Sequence, residues 1–228
     1  MNIKKISFLL VLVLLLISCE ENELQDITLE QVYIDTVYSV KWGKTQNFGR
    51  SAEFFPKNIF GPPSRVASKL TPEASEEELA SLGRDGEIIV GAKNHVIVDK
   101  PGVDFIVFEN VFATTQSEAK VFVEPAIVSV SQNGVDFIEF PYDPKTLEGL
   151  AGLTWTNGSE NPFDYTVSGG DGFDLAKIGI DSVKYIKLKD ISKIASTMPK
   201  DHKYYSPEVM LSGFDLDAIA IIHAVRKK

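Results

Sequence analysis

Cysteine is almost absent from this chain: of 228 residues only Cys19 carries a thiol. A single thiol makes no internal disulfide, no Cys-ligated zinc or iron–sulfur site and no Cys-x-x-Cys redox centre. A core must supply the stability instead, and a unit of about 200 residues buries roughly 70% of the surface its unfolded chain exposes, which is enough. Basic clusters are scarce as well. The formal charge is −9 and the densest basic group is Arg226-Lys227-Lys228, so the concentrated positive surface that phosphate backbones require is missing and nucleic acid is excluded as a partner. Long apolar runs are missing too. The longest, Ile6–Ile17, has 12 residues, against the roughly 20 needed to span a bilayer as a helix. His95, His202 and His223 stand far apart with no His-x-x-x-His pair. No Gly-x-Ser-x-Gly elbow, EF-hand loop, Walker loop or dinucleotide fingerprint occurs, so nothing local marks an enzyme.

What is present begins at the N-terminus. Lys4 and Lys5 precede the apolar run, and the run ends in Leu16-Ile17-Ser18-Cys19. This arrangement resembles a bacterial lipobox, in which the cysteine becomes the acylated first residue of the mature protein. The expected organisation is a leader over 1–18, an acidic tether over 19–31 and one domain over 32–228. Loss of Lys4 and Lys5 with the leader deepens the charge to −11, and an acidic surface favours solubility and tolerates divalent cations. Glu20-Glu21-Asn22-Glu23 has two readings: a solvated linker, or a patch resembling the export signals of Bacteroidetes-type lipoproteins destined for the outer face of the outer membrane.

Periodicity gives the fold class. One strand is expected over Val32–Val40. A short helix is expected near 72–82, with Thr71 as N-cap, Pro72 at the first helical position and Gly83 as terminator. From Gly86 onward short apolar runs alternate with turns: Glu87–Val90, His95–Val98, Asp104–Phe108, Val121–Val123, Ile127–Ser131, Phe137–Phe140, Tyr185–Lys189 and Ala218–His223. Such grammar predicts an all-β protein, an antiparallel β-sandwich or jelly roll. Gly102-Val103-Asp104-Phe105 recurs at Gly134–Phe137, and Gly172-Phe173-Asp174-Leu175 recurs at Gly213–Leu216. The spacings of 32 and 41 differ, so these are a reused turn-into-strand device, with Asp bonding backbone and Phe entering the core, and not a solenoid.

A family resemblance covers Gly61 to Ala224. Its carriers are Ser81-Leu82-Gly83 before Gly86-Glu87-Ile88, then Asp104–Asn110, Glu124-Pro125-Ala126 with Val128–Gly134, Gly169–Leu175 and Gly213–Ala218. These resemble a family labelled "cell surface protein", found on secreted or lipid-anchored bacterial proteins. The resemblance implies a jelly roll similar to discoidin and carbohydrate-binding modules, in an extracytoplasmic setting. Members accompany outer-membrane nutrient uptake, cobalamin included, which implies capture of a small molecule beside a transporter.

Two sets of candidate site residues follow. Calcium takes six to eight oxygen ligands. Asp215 and Asp217, roughly 6.6 Å apart in an extended strand, would face one side, with Glu109 and Asn110 supplying opposing oxygens; the alternative is that the two aspartates bond backbone amides. Gly169–Asp174 matches the start of a calcium nonapeptide, but one copy favours a glycine-permitted loop with Asp171 and Asp174 capping amides. The candidate ligand platforms are Trp42, Trp155, Tyr165, Tyr204 and Tyr205, because sugar faces and flat macrocycles stack on aromatics. Trp155, in a polar turn, is read either as exposed for binding or as a plug at the sandwich end. The function expected is a surface-exposed, non-catalytic lipoprotein that captures a glycan or small nutrient for uptake; a structural or adhesive envelope protein is the alternative, and a hydrolase a weaker one. If Cys19 is acylated, Cys19→Ala will abolish incorporation of radiolabelled palmitate and release the protein from the membrane fraction; unlabelled wild-type protein recovered inside the cell would refute the leader.

Overall fold

The computed structural model describes residues 28–227; Cys19, the leader and the Glu20–Glu23 patch lie outside the described residues. Fourteen strands occur among those residues: β1 (Glu30–Tyr33), β2 (Thr36–Lys41), β3 (Ala80–Ser81), β4 (Glu87–Gly91), β5 (His95–Val98), β6 (Phe105–Glu109), β7 (Phe112–Ala113), β8 (Val121–Phe122), β9 (Ala126–Ser131), β10 (Ile138–Glu139), β11 (Asp171–Phe173), β12 (Ser182–Val183), β13 (Tyr185–Asp190) and β14 (Asp215–Arg226). They form an antiparallel β-sandwich. One sheet runs β11-β6-β14-β5-β12, with β1 and β3 also paired to β14; the other runs β10-β9-β13-β4-β2; β7 and β8 form a separate small ribbon.

Alternation explains the pairing. In β13, Ile186 and Leu188 are fully buried while Lys189 is exposed, as a sheet with one solvated side requires. Their partners Val90 and Ile88 on β4 and Val130 and Val128 on β9 are buried as well and meet Phe105, Val107, Leu216, Ile219 and Ile221 of the facing sheet. The first sheet is covered on its other face too. Ile106, Phe108, Ala218 and Ala220 pack beneath Tyr33 and Phe163, so β6 is buried along its whole length.

The segment expected as one strand over 32–40 is two. Ile34 and Asp35 carry the chain from one sheet to the other: β1 pairs with β14, and β2 pairs with β4. The domain also takes in Glu30, assigned above to the tether, whose carboxylate pairs with Arg226 at 3.1 Å and His95 at 3.1 Å. Nor is there a helix at 72–82. A turn at 76–78 leads straight into β3, because Glu73 spends its carboxylate on the Ala74 and Ser75 amides at 2.7 and 2.6 Å and Ala80-Ser81 finds a partner in β14. Local capping signals lose to tertiary pairing here. The reused device is only partly uniform: Phe105, Phe173 and Phe214 enter the core, whereas Phe137 stays half-buried against Lys187, 4.3 Å from its ring centre.

Phe105, at 0% exposure and stacked 5.3 Å from Phe173, should cost about 3–5 kcal/mol when cut to alanine. Denaturant titration checks this against Val135→Ala, an exposed site expected to change stability by no more than about 0.5 kcal/mol.

Candidate functional site

Three apolar segments each carry one carboxylate at an end, and the fold gathers all three. β6 ends in Glu109, Val121-Phe122-Val123 is followed by Glu124, and β14 opens with Asp215. Their oxygens lie within 4.8 Å of one another, and the residues are 3%, 2% and 7% exposed. Backbone amides satisfy part of this charge. Glu124 accepts from the Ser212 amide and, at 2.6 Å, from the Gly213 amide; Glu109 Oε1 accepts from the Asp215 amide at 3.2 Å. Gly213, with φ 120°, has no room for a Cβ, which would sit 2.2 Å from the Gly83 carbonyl carbon, so this approach of the loop to Glu124 needs glycine.

The rest is unsatisfied. Seven buried side-chain atoms among the described residues have no partner, and five belong to this centre: Glu109 Oε2, Asp215 Oδ1, Asn110 Oδ1, Ser81 Oγ and Arg50 Nη2. Ser81 sits opposite Asp215 in the sheet. Buried polar atoms are nearly always paired, and a concentration of four orphaned oxygens beside a fifth oxygen-bearing group is the donor chemistry of a hard cation. These acidic residues can hold a metal ion. Burial pushes the Glu109 carboxyl well above its ordinary range, reinforced by Asp215 and Glu124; burial and the Asp215 charge push Glu124 up, and burial pushes Asp215 up.

Of the four residues expected to form such a site, Glu109, Asn110 and Asp215 are here and Asp217 is not. A β-bulge between Leu216 and Ala218 breaks the two-residue alternation on which the Asp215–Asp217 pairing depended: Leu216 faces the main core, and after the bulge Ile219 and Ile221 do, while Ala218 and Ala220 face the other side. Both Asp217 oxygens accept from the Ser64 amide, at 3.0 and 3.1 Å. Burial, then the charges of Glu73 and Glu78, push its carboxyl to about 8. Glu124, Ser81 and Arg50 were not anticipated as site residues. A lone acid breaking an apolar run, as at Glu124, was the available signal.

A second feature is an open cleft of about 750 Å³. Tyr165, half-exposed, and Tyr204, largely buried, line it together with Thr154, Asp171, Lys177 and Lys203. Asp171–Phe173, expected as loop, is strand β11 paired with β6. Asp171 accepts from the Gly152 and Leu153 amides at 2.7 and 2.9 Å and from Thr154 Oγ1 at 2.9 Å, and Asp174 caps the Ala176 amide at 2.9 Å. Burial pushes Asp171 to about 6. Gly172 lets the Tyr165 ring lie on the strand; a Cβ there would sit 2.8 Å from it. Buried Leu147, at φ 66°, places Thr146 and Glu148 on the cleft lip, a strained backbone held by a packed side chain.

The other expected platforms lie elsewhere. Trp42 packs on Phe55 and under Arg50, whose guanidinium is 4.6 Å from its ring centre. Trp155 and Tyr205 are half-buried against a cluster that includes Val111, Leu147 and Leu211, each with a lysine over its ring. For Trp155, packing absorbed an indole that the polar turn seemed to leave free. The histidines are committed as well: His95 to Glu30, His223 Nδ1 to Asp104 at 2.7 Å, and His202 Nδ1 to the Tyr204 amide at 3.2 Å. No family model matches the chain, and no curated protein matches it.

Carboxylates whose folded pKa is raised bind protons more tightly when folded, so their stability contribution is complete below the ordinary carboxylate range and is lost as pH rises through the raised value. In chelator, the denaturation midpoint should therefore fall between about pH 4 and about pH 8. Asp217→Asn, an uncharged isostere, should flatten that slope and gain on wild type as pH rises; a variant that loses stability equally at every pH would contradict the assignment.

Proposed function

We propose that this chain is a non-catalytic ligand-binding module, displayed by a lipid anchor at Cys19 on the outer membrane surface, that captures a glycan or small nutrient for an uptake transporter. The observation that carries the reading is the cleft. It sets the half-exposed ring of Tyr165 and the largely buried ring of Tyr204 among carboxylate, hydroxyl and ammonium groups from Asp171, Thr154, Lys177 and Lys203. Sugar rings and flat cofactors such as cobalamin are held by this mixture, an apolar face against the ring and polar groups at its edge. The resemblance to the "cell surface protein" family supports the same setting.

Calcium is the ion we propose for the acidic centre. All of its offered ligands are oxygens, from three carboxylates, an amide and a hydroxyl, and the ion would join segments distant in sequence, stabilising the end of the sandwich from which the loops spring. Mature protein carrying Cys19→Ala, titrated with glycans and cobalamin by calorimetry, should show saturable micromolar binding. Tyr165→Ala should weaken that binding about tenfold, equal to about 1.4 kcal/mol, with an unchanged melting temperature, whereas Trp155→Ala should leave it intact. Binding insensitive to Tyr165, or no binding at all, overturns the cleft. Calcium at a hundredfold excess over its Kd should stabilise the fold by about 2.7 kcal/mol, and a melting temperature indifferent to calcium and chelator overturns the ion.

A further inference from the structure

Arg50 is the one cation among the described groups set against the acidic centre, and its position is unusual. Its Nε donates to the Ser81 carbonyl at 2.7 Å, on the strand residue that faces Asp215. Its guanidinium lies over Trp42, and Nη2 is buried with no acceptor. The stack and the carbonyl bond fix the group in place, so it neither forms a bidentate pair with a carboxylate nor swings out to water. Its positive charge still acts on Asp215, opposing the rise caused by burial.

Asp171 and Asp190 also face the centre, from β11 and β13. Their oxygens are taken by amides and hydroxyls: Asp190 accepts from the Asp85 and Phe214 amides at 2.9 and 2.8 Å and from Ser192, and Asp171 from Gly152, Leu153 and Thr154 as described. The groups open to an ion are Glu109 and Asp215, each with one unpaired oxygen, the Asn110 and Ser81 oxygens, and Glu124, whose Oε2 accepts only from the Ser212 hydroxyl at 3.2 Å.

We infer that Arg50 is the built-in counter-charge of this centre, lowering by one the negative charge an ion meets there and so shifting its selectivity away from trivalent and toward divalent cations. A buried site penalises any uncompensated charge. Asp171 and Asp190 keep their negative charge although their oxygens are hydrogen-bonded, and the fixed guanidinium offsets one unit of the total, so its removal favours the ion of higher charge. This role of Arg50 rests on the calcium reading and specifies what that reading leaves open, the ion charge the site favours and the residue that sets it. Held beside the ligands and not among them, Arg50 is a specificity residue.

Terbium is the trivalent probe, because Trp42, in contact with Arg50, can sensitise its luminescence, and calcium is the divalent competitor. The mature chain with Cys19→Ala is titrated with terbium and then back-titrated with calcium, in wild type, Arg50→Gln, Arg50→Lys and Glu124→Gln. One unit charge across about 10 Å, at an effective dielectric of about 20, amounts to roughly tenfold in affinity per unit of ligand charge. Arg50→Gln should therefore raise the terbium-to-calcium affinity ratio about tenfold, Arg50→Lys should keep the wild-type ratio, and Glu124→Gln should lower it. A wild-type protein that binds neither ion overturns the calcium reading and this inference with it. Ions that bind with the same ratio in Arg50→Gln overturn the role of Arg50 alone. Should Arg50→Gln fail to fold, the other two variants decide: a ratio changed by Arg50→Lys, or unmoved by Glu124→Gln, overturns the inference.

Discussion

Burying three carboxylates within 4.8 Å of one another is the constraint around which this end of the sandwich is organised. Separated in sequence, each of these acids would sit at a strand end in water. Brought together and covered, they repel one another and lose hydration, a combination that folded proteins retain only with compensation. Part of that compensation is visible in the amides of Ser212, Gly213 and Asp215, and part in the charge of Arg50. Asn110 and Ser81 offset part of the burial cost of Asp215 and bring to the same place oxygens without a well-formed hydrogen bond.

That centre and the cleft are neighbours through the backbone. Asp171 pairs with Val107, two residues before Glu109 on β6, lines the cleft itself, and holds the amides of Gly152 and of Leu153, the latter also on the cleft wall. Gly152 in turn lies against the Glu124 carbonyl. The same segments therefore border both the acids and the cleft. Interiors this closely packed transmit small shifts along such contacts.

Much of the sandwich was legible because a two-residue repeat is a local property. The runs at Glu87–Val90, His95–Val98, Ile127–Ser131 and Tyr185–Lys189 lie within a residue or two of β4, β5, β9 and β13. Where a different force decided, the pattern misled. Thr71–Gly83 carries helix-capping residues, yet Ala80-Ser81 gains more from pairing with β14; Val32–Val40 reads as one strand, yet its halves serve opposite sheets. Three of the four residues read as metal ligands meet, and the fourth is turned aside by one bulge at Leu216–Ala218. Two of five aromatic platforms reach the cleft, since an aromatic in a polar stretch is recruited by whichever apolar neighbour the fold supplies.

By itself the sequence determined the class of architecture and the scarcity of basic surface and of thiols, because these follow from composition and from spacing along the chain. Only the tertiary structure decided that Glu124 joins Glu109 and Asp215, that Arg50 stands beside them, and that Tyr165 and Tyr204 share a cleft. Those meetings join residues up to 165 positions apart (Arg50 to Asp215), and their register depends on bulges and sheet crossings that no local pattern encodes.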